Sequence, residues 1–349
     1  MIDLRSDTVT KPTPDMRRAM AEAEVGDDVF GEDPTIRALE EETARLLGKE
    51  QALYVPSGHM ANQIAVYVSA RSGEEIWAHA TSHVLGNEQG ASSVLARVVP
   101  RTFDAPDAVP DSALLERWSA GIDDVHRARP ALLCLENTFT GRVVPLSEQR
   151  RVTAFAHSHG MRAHLDGARL WNAAVALGAA PAEVADGFDT VSTCFSKGLG
   201  APVGSAVAGD ADTIQRARRA RKLLGGGMRQ AGIIAAGALY ALRNNIDRLA
   251  DDHSRAARLA KGITSATGLA AESRTNMVLV TTEPGEAPGF AADFAEQGVR
   301  CVAIGPDLVR LVVHLEIGDA DIDTAIAAIG AAVTARGGAP ELSRLRAGW

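Results

Sequence analysis

Apolar and polar positions along this chain follow two periods, and the switch between them recurs. Ile36, Leu39, Thr43, Leu46 and Leu47 fall at helical spacing. Asp33-Pro34 opens that helix with an N-cap and a first-turn proline, and Gly48 stops it. An earlier helix is expected from Pro14 to Ala23, behind an extended arm of residues 1–14. Strand-like runs then alternate with helical ones. Strands are expected at Ala52–Pro56, Glu75–Ala78, Val94–Val99, Ala131–Leu135, Arg162–Leu165 and Thr190–Phe195. Helices are expected from Ser57-Gly58 to about Ala70, and at Asp111–Trp118, Leu146–His159 and Ala168–Leu177. The Gly204–Ala208 run pairs with something nearby. Ala131–Leu135 is apolar throughout, as in a strand buried on both faces. Such a succession predicts an α/β fold: a mostly parallel sheet with helices on both sides.

After Gly209 the pattern is helical to about Gly268. A strand at Met277–Thr281, a helix at Phe290–Gln297, a strand at Leu308–His314 and a helix at Asp321–Thr334 then form a small α+β unit. The expected division is an N-terminal arm (1–14), a large α/β domain (15–250) and a small C-terminal α+β domain (251–349).

Composition narrows the class. The chain has 349 residues, 46% hydrophobic and 23% charged, an ordinary globular mixture. With 36 basic and 44 acidic residues the formal net charge is −8, which argues against a nucleic-acid binder. Three dispersed cysteines, Cys134, Cys194 and Cys301, fit neither a zinc site nor a disulfide framework, so no metal is expected. The start of the sequence is acidic where a signal peptide is basic, and the apolar run Ile233–Leu242 is too short to span a bilayer. These features lead us to expect a soluble cytoplasmic protein with no membrane partner.

The strongest local chemistry is Ser196-Lys197-Gly198-Leu199-Gly200, directly after a β-branched strand. An amine at such a strand end sits beside a ligand and can condense with an aldehyde. A surface lysine in a glycine-rich turn would give the same string. A second strand, Arg162–Leu165, ends in Asp166 and is followed by Arg169. Ligands of parallel α/β sheets sit at the carboxyl ends of strands, so Asp166 and Lys197 would face one crevice. A lysine and an acid are the two partners pyridoxal 5'-phosphate requires, the acid keeping its ring nitrogen protonated. Asp166 alone would read as a helix N-cap. Ser57-Gly58-His59 starts a helix after a strand, a place where free N–H groups can receive a phosphate.

Several motifs in order now resemble a known family. They are Asp3–Thr8, Val25–Pro34, Leu135-Glu136-Asn137-Thr138, His164–Arg169, Ser196–Gly200 and Gly225–Gln230. Over nearly its whole length the chain resembles the low-specificity L-threonine aldolases, pyridoxal-phosphate enzymes of fold type I, the aspartate aminotransferase fold. The resemblance implies a large cofactor domain with a seven-stranded sheet, a small C-terminal domain, and a homotetramer built from dimers with active sites at subunit interfaces.

It also implies roles. Lys197 is the Schiff-base lysine and Asp166 the partner of the pyridine nitrogen. His83 stacks on the cofactor ring, and His126 is a second active-site histidine. Ser57, Gly58 and His59 form the phosphate cradle. Ser6, Arg169 and Arg310 hold the substrate carboxylate. Lys222 and Arg229 lie in a basic loop near the site, reaching across a subunit interface. Two positions depart from the family. His59 stands where a small hydroxyl residue is expected, and Val84–Gly90 lacks the aromatic residues many members carry. The implied activity is cleavage of L-threonine and L-allo-threonine to glycine and an aldehyde, by a carbon–carbon lyase (EC 4.1.2.-). The alternatives are another fold type I enzyme, such as a phenylserine aldolase, a β-eliminating lyase or an amino-acid racemase, and a catalytically silent relative.

Overall fold

The computed structural model describes residues 1–337; positions 338–349 of the expected small domain lie outside the described residues. A two-residue strand, β1 (Ile2–Asp3), precedes helices α1 (Pro14–Ala21) and α2 (Pro34–Leu47). Asp33 Oδ1 accepts from the N–H groups of Thr35 and Ile36, as its N-cap position predicts.

The strands β2 (Gln51–Val55), β3 (Glu75–His79), β4 (Val99–Phe103), β5 (Pro130–Glu136), β6 (Arg162–Gly167), β7 (Thr190–Cys194) and β8 (Ser205–Gly209) follow. They build one seven-stranded sheet in the order β2-β8-β7-β6-β5-β3-β4. The ladders from β4 through β7 are parallel, and β8 runs antiparallel to both its neighbours. Between the strands lie α3 (Gly58–Ser69), α4 (His83–Gly86), α5 (Ser112–Ser119), α6 (Leu146–Ser158), α7 (Leu170–Leu177) and α8 (Pro181–Ala185).

One expected strand is displaced. Residues 92–96 form a π-helical turn, and β4 begins only at Val99. The apolar residues there do not share a buried face: Val94 is 71% exposed while Ala96 and Val98 are buried. The true strand carries Pro100, which β4 tolerates because it is the edge of the sheet.

Helices α9 (Ala211–Leu223), α10 (Gly232–Asn244) and α11 (Leu249–Thr267) come next. Then β9 (Ala271–Arg274), β10 (Met277–Thr281), α12 (Ala287–Glu296), β11 (Val299–Arg300), β12 (Val302–Ala303), β13 (Leu308–Val312) and α13 (Asp319–Ala335) complete the described chain. A four-stranded sheet in the order β12-β13-β10-β9 packs against α11 and α13.

The arm is not a free extension. β1 pairs in parallel with β11, matching Ile2 to Val299. Leu4 accepts from Val312 N–H, and Ile2 and Leu4 are buried in the core of the small unit. α11 bridges the two cores, with Leu249 in the large one and Ala256 onward in the small one. No helix among the described residues is long and apolar enough to cross a membrane.

Candidate active site

β6 and β7 lie side by side in parallel, with Gly167 opposite Thr193. Asp166, at the carboxyl end of β6, and Lys197, just after β7, therefore meet at one edge of the sheet. Gly200, with φ +78, closes the loop behind the lysine and donates its N–H to the Lys197 carbonyl at 2.8 Å. Between these strand ends and the start of α3 is a chamber of about 250 Å³. Ser57, Gly58, His59, Cys194 and Ser196 line its far side. His83, Asp166, Ala168 and Lys197 line both the chamber and a wider outer cleft of about 1090 Å³, so the two are continuous.

The chamber floor is a closed hydrogen-bond network. Asn62, one turn into α3, donates to Asp166 Oδ2 at 2.7 Å and to Glu88 Oε1 at 2.8 Å. Its amide oxygen accepts from Ser192 Oγ at 2.6 Å and faces His164 Nε2 at 3.2 Å. His164 is fully buried, and burial holds its imidazole below the usual range. Asp166 Oδ1 also accepts from Ala168 N–H at 3.0 Å, so the acid orients its own loop and remains a chamber wall.

Glu88 is completely buried and contacts His83 Nδ1 at 2.7 Å. That hydrogen bond raises the His83 pKa and leaves Nε2 as the free ring nitrogen. His83, Glu88 and Asp166 each bring one ligand-type atom to within 4.8 Å of the others. Neither Asn62 nor Glu88 is among the site residues expected from the sequence.

Pyridoxal phosphate fits this chamber on the chemistry of its walls. A lysine, an acid held by an amide, and an imidazole fixed at Nδ1 surround the inner space. A helix start closes its end, with N–H groups of the first turn that have no intrahelical acceptor. Ser57 Oγ caps Met60 N–H at 3.2 Å. Gly58 cannot carry a side chain, because a Cβ there would lie 2.7 Å from Cys194 Sγ. His59 is half exposed, lines the chamber, and places Nε2 4.0 Å from Glu88 Oε2.

Other groups line the outer cleft. Glu136 ends β5 opposite Asp166 and accepts from His83 N–H at 3.0 Å. Burial and the Asp166 charge push its carboxyl up to about 7. Arg169 is not a free clamp. Its Nε and Nη2 are bound by both oxygens of Asp7, at 2.8 and 2.7 Å. Asp7 is fully buried, and Asn276 also donates to it at 3.2 Å. Burial alone would raise the Asp7 carboxyl, but the charge and hydrogen bonds of Arg169 hold it below its ordinary value.

Asp7 holds the guanidinium in place, and Nη1 is left for a ligand. Arg310 donates from Nη2 to the Arg5 carbonyl at 3.2 Å, while its buried Nε has no partner among the described residues. Ser6 Oγ, expected to touch a substrate, accepts from Thr8 N–H at 3.2 Å and caps a short turn beside Asp7.

Three expected residues stand apart from the cleft in this chain. The His126 side chain is 87% exposed and contacts Asp124 at 2.9 Å. Arg229 is exposed and pairs with Asp27 at 3.0 Å, and Lys222 is exposed near the end of α9. None of the three lines either cavity.

Comparison with known proteins agrees with this geometry. Residues 3–284 match the beta-eliminating lyase family. The low specificity L-threonine aldolase of Escherichia coli strain K12 is 41% identical over 319 residues, covering 91% of this chain and 95% of that protein. The low-specificity L-threonine aldolase 1 of Arabidopsis thaliana is 41% identical over 336 residues, covering 92% and 93%. The solved threonine aldolase of Leishmania major superposes with a TM-score of 0.81 at 20% identity, covering 94% of this chain and 98% of that one. A Sphingomonas wittichii serine palmitoyltransferase reaches 0.75 at 20% identity, covering 96% and 88%. These two solved structures share the fold, fold type I. The lysine and acid at adjacent strand ends, the helix start facing them and this extent of shared sequence have one reading: the chain belongs to the beta-eliminating lyase family, among the low-specificity L-threonine aldolases.

Proposed function

We propose that the protein cleaves L-threonine, L-allo-threonine and other β-hydroxy-α-amino acids to glycine and an aldehyde, with pyridoxal phosphate as cofactor. One observation carries the reading: Lys197, Asp166 and His83 form the shared wall between a chamber suited to the cofactor and a cleft with unpartnered guanidinium nitrogen. Lys197 Nζ would hold the cofactor's aldehyde carbon, Asp166 its ring nitrogen, His83 its ring face, and the first N–H groups of α3 its phosphate. When bound, the cofactor draws off the electron pair of the breaking Cα–Cβ bond.

The chain's own groups do the rest. The Arg310 guanidinium and Arg169 Nη1 each offer a charged donor to one substrate carboxylate, which also offsets the mutual repulsion of the two cations. This grip fixes the configuration at Cα, so D-isomers are not cleaved. His83, fixed through Nδ1 by Glu88, takes the substrate hydroxyl proton at Nε2 once it is neutral. At Cβ the two L-isomers differ by a misplaced methyl, about 1–3 kcal/mol in a closed apolar pocket and less in an open one. Both are therefore substrates, and phenyl-sized β-substituents are tolerated. Lys197 Nζ is the group at hand to return a proton to the glycine α-carbon.

The same reading makes the protein a cytoplasmic homotetramer, a dimer of dimers. The support for the assembly is exposed apolar surface beside the basic loop: Phe30 is 73% exposed, in the turn whose Asp28 N–H donates to the Arg229 carbonyl. Light scattering on a sizing column tests the assembly.

The activity is tested by glycine and aldehyde release from L-threonine, L-allo-threonine, both D-isomers and L-phenylserine. Lys197→Ala is expected to abolish release while the protein still folds. Borohydride reduction of the wild type is expected to fix the cofactor to the peptide containing Lys197. Label on Lys222 or Lys261 instead overturns the assignment.

A further inference from the structure

A second cleft, of about 740 Å³, lies at the opposite end of the strands of the large sheet from the catalytic groups. It sits where the parallel strands begin: Glu74 precedes β3, Pro130 opens β5 and Arg162 opens β6. The end of α3 and one face of α9 close it. Arg71, Arg129, Arg162, Arg216 and Arg219 line it, and Glu74 is its acidic member.

This concentration of charge is at odds with the rest of the molecule. The chain carries a net charge of −8, and its arginines are mostly matched to acids. α9 shows the contrast within one helix. Arg218 pairs with Glu40 at 2.9 Å and Arg221 with Asp28 at 2.5 Å. Arg216 and Arg219, on the cleft face, lie three apart with Leu223 one turn further.

Arg162 is partly balanced, with Asp210 at 3.3 Å. Among the described residues Arg71, Arg129, Arg216 and Arg219 have no carboxylate within ion-pair distance. Glu74 does not neutralise them; its Oε2 accepts from the Arg71 backbone N–H at 2.7 Å.

Parts of the cleft are also pre-positioned. Arg162 Nη2 and Arg216 Nη2 both donate to Thr213 Oγ1, at 2.9 and 3.1 Å. Thr213 Oγ1 in turn donates to Asp210 Oδ2 at 2.9 Å, so one carboxylate offsets part of this pair's charge and leaves Arg71, Arg129 and Arg219 as the unbalanced members. Arg216 Nη1 is fixed on the Val68 carbonyl at 2.6 Å, in the last turn of α3. The Ser69 hydroxyl beside it is buried and without a hydrogen-bond partner among the described residues. Capping of α3 accounts for Arg216 alone; it gives no partner to Arg71, Arg129 or Arg219. The cleft also has an apolar side, where Tyr67 is 40% exposed near Leu223 and Ala131. Its volume is in the range of small-molecule sites.

We infer that this cleft binds a small polyphosphate anion, its phosphates between the unpaired arginines and any attached ring over Tyr67. Guanidinium groups suit phosphate because they donate in pairs to its oxygens. The site is separate from the cofactor chamber, so a holoenzyme with its cofactor in place remains free to bind there.

Isothermal titration of the holoenzyme with pyrophosphate and with ATP, without magnesium, tests this. The expected result is saturable binding of one anion per chain, weakening as potassium chloride is raised. Arg129→Ala/Arg219→Ala is expected to lose at least tenfold in affinity, with cofactor absorbance and threonine cleavage in the absence of the anion unchanged. Tyr67→Ala separates the two forms of ligand: a loss confined to ATP assigns the ring to Tyr67, and equal retention of both ligands assigns binding to the phosphates alone. No heat with either ligand up to millimolar concentration overturns the inference. So does equal binding to the double-arginine variant.

Discussion

The floor of the cofactor chamber and the entrance to the substrate cleft are built on opposite plans. Asn62, Glu88, His164, Asp166 and Ser192 belong to one sheet and its packed helix and loop, and they satisfy one another within a buried network. The entrance is assembled from three distant stretches. Asp7 comes from the arm, Arg169 from the loop after β6, and Arg310 from the small sheet. Damage to the floor should reach the chemistry more than the fold. Damage to the entrance should reach both, because its charged groups also tie the units together.

The largest expected effect is at the entrance. Asp7→Ala leaves the Arg169 guanidinium, 13% exposed at the cleft, without its carboxylate; breaking a fully buried pair costs roughly 3–5 kcal/mol, and the cleft-facing position puts this loss near the lower end. Urea unfolding is expected to show that loss, with a rise in KM. Unchanged stability would mean that the pair does not tie the arm to the sheet.

On the floor, Asp166→Ala is expected to lower kcat by on the order of 10²–10³-fold, the scale of losing one fixed electrostatic group. Stability falls by only about 1–3 kcal/mol, since Asn62 and Ala168 each lose an acceptor. A variant that melts far below Asp7→Ala would erase the distinction between the two regions.

Glu136 sits where floor and entrance meet, and its effect depends on pH. Its folded pKa of about 7 lies above the 4.5 of an ordinary glutamate. The native protein therefore keeps a proton that the unfolded chain gives up, and stability falls as pH rises through that window. Above it the loss is constant. Glu136→Gln removes the loss while keeping an acceptor for His83 N–H. The variant is expected to gain roughly 1–3 kcal/mol over wild type at pH 8 and to match it near pH 4. Melting curves of the holoenzyme at the two pH values check this; a gain at pH 4 equal to that at pH 8 would refute it.

The smallest effect is expected from His126→Ala. The side chain is exposed, so stability should change by no more than about 0.5 kcal/mol. Its kcat/KM loss should be smaller than that of His83→Ala, compared on both L-isomers. A larger loss would bring His126 to the reacting atoms of a neighbouring subunit and extend the entrance across it.

The two plans also explain what could be read from the sequence. Lys197 and Asp166 are legible because a strand end beside glycine is a local signal, and the sheet brings such ends together by rule. Asn62 gives no such signal; its meaning arises from Asp166, 104 positions away. A faint one exists in its place one helical turn after Gly58, on the face that looks along the chamber. Asp7 and Arg169, 162 positions apart, are invisible as a pair until the arm is laid on the small sheet. The run at 94–99 misleads because apolar residues there alternate between core and solvent. β9, with its sequence Ala-Glu-Ser-Arg, escapes notice because it is short and mostly polar.

The pairing of β1 with β11 fixes the order in which the protein can become functional. Ile2 finds its ladder partner at Val299, and Leu4 finds Val312, across almost the full length of the chain. During synthesis Ile2 and Leu4 must wait for Val299 and Val312, which are made much later. The chamber floor can form once β7 and its following loop have emerged, but Asp7 is not anchored against Arg169 until β11 and β13 exist. Contacts of such long separation are the slowest to form. A nascent or truncated chain can thus hold a finished floor under an unfinished entrance, and competence for substrate marks the completion of folding.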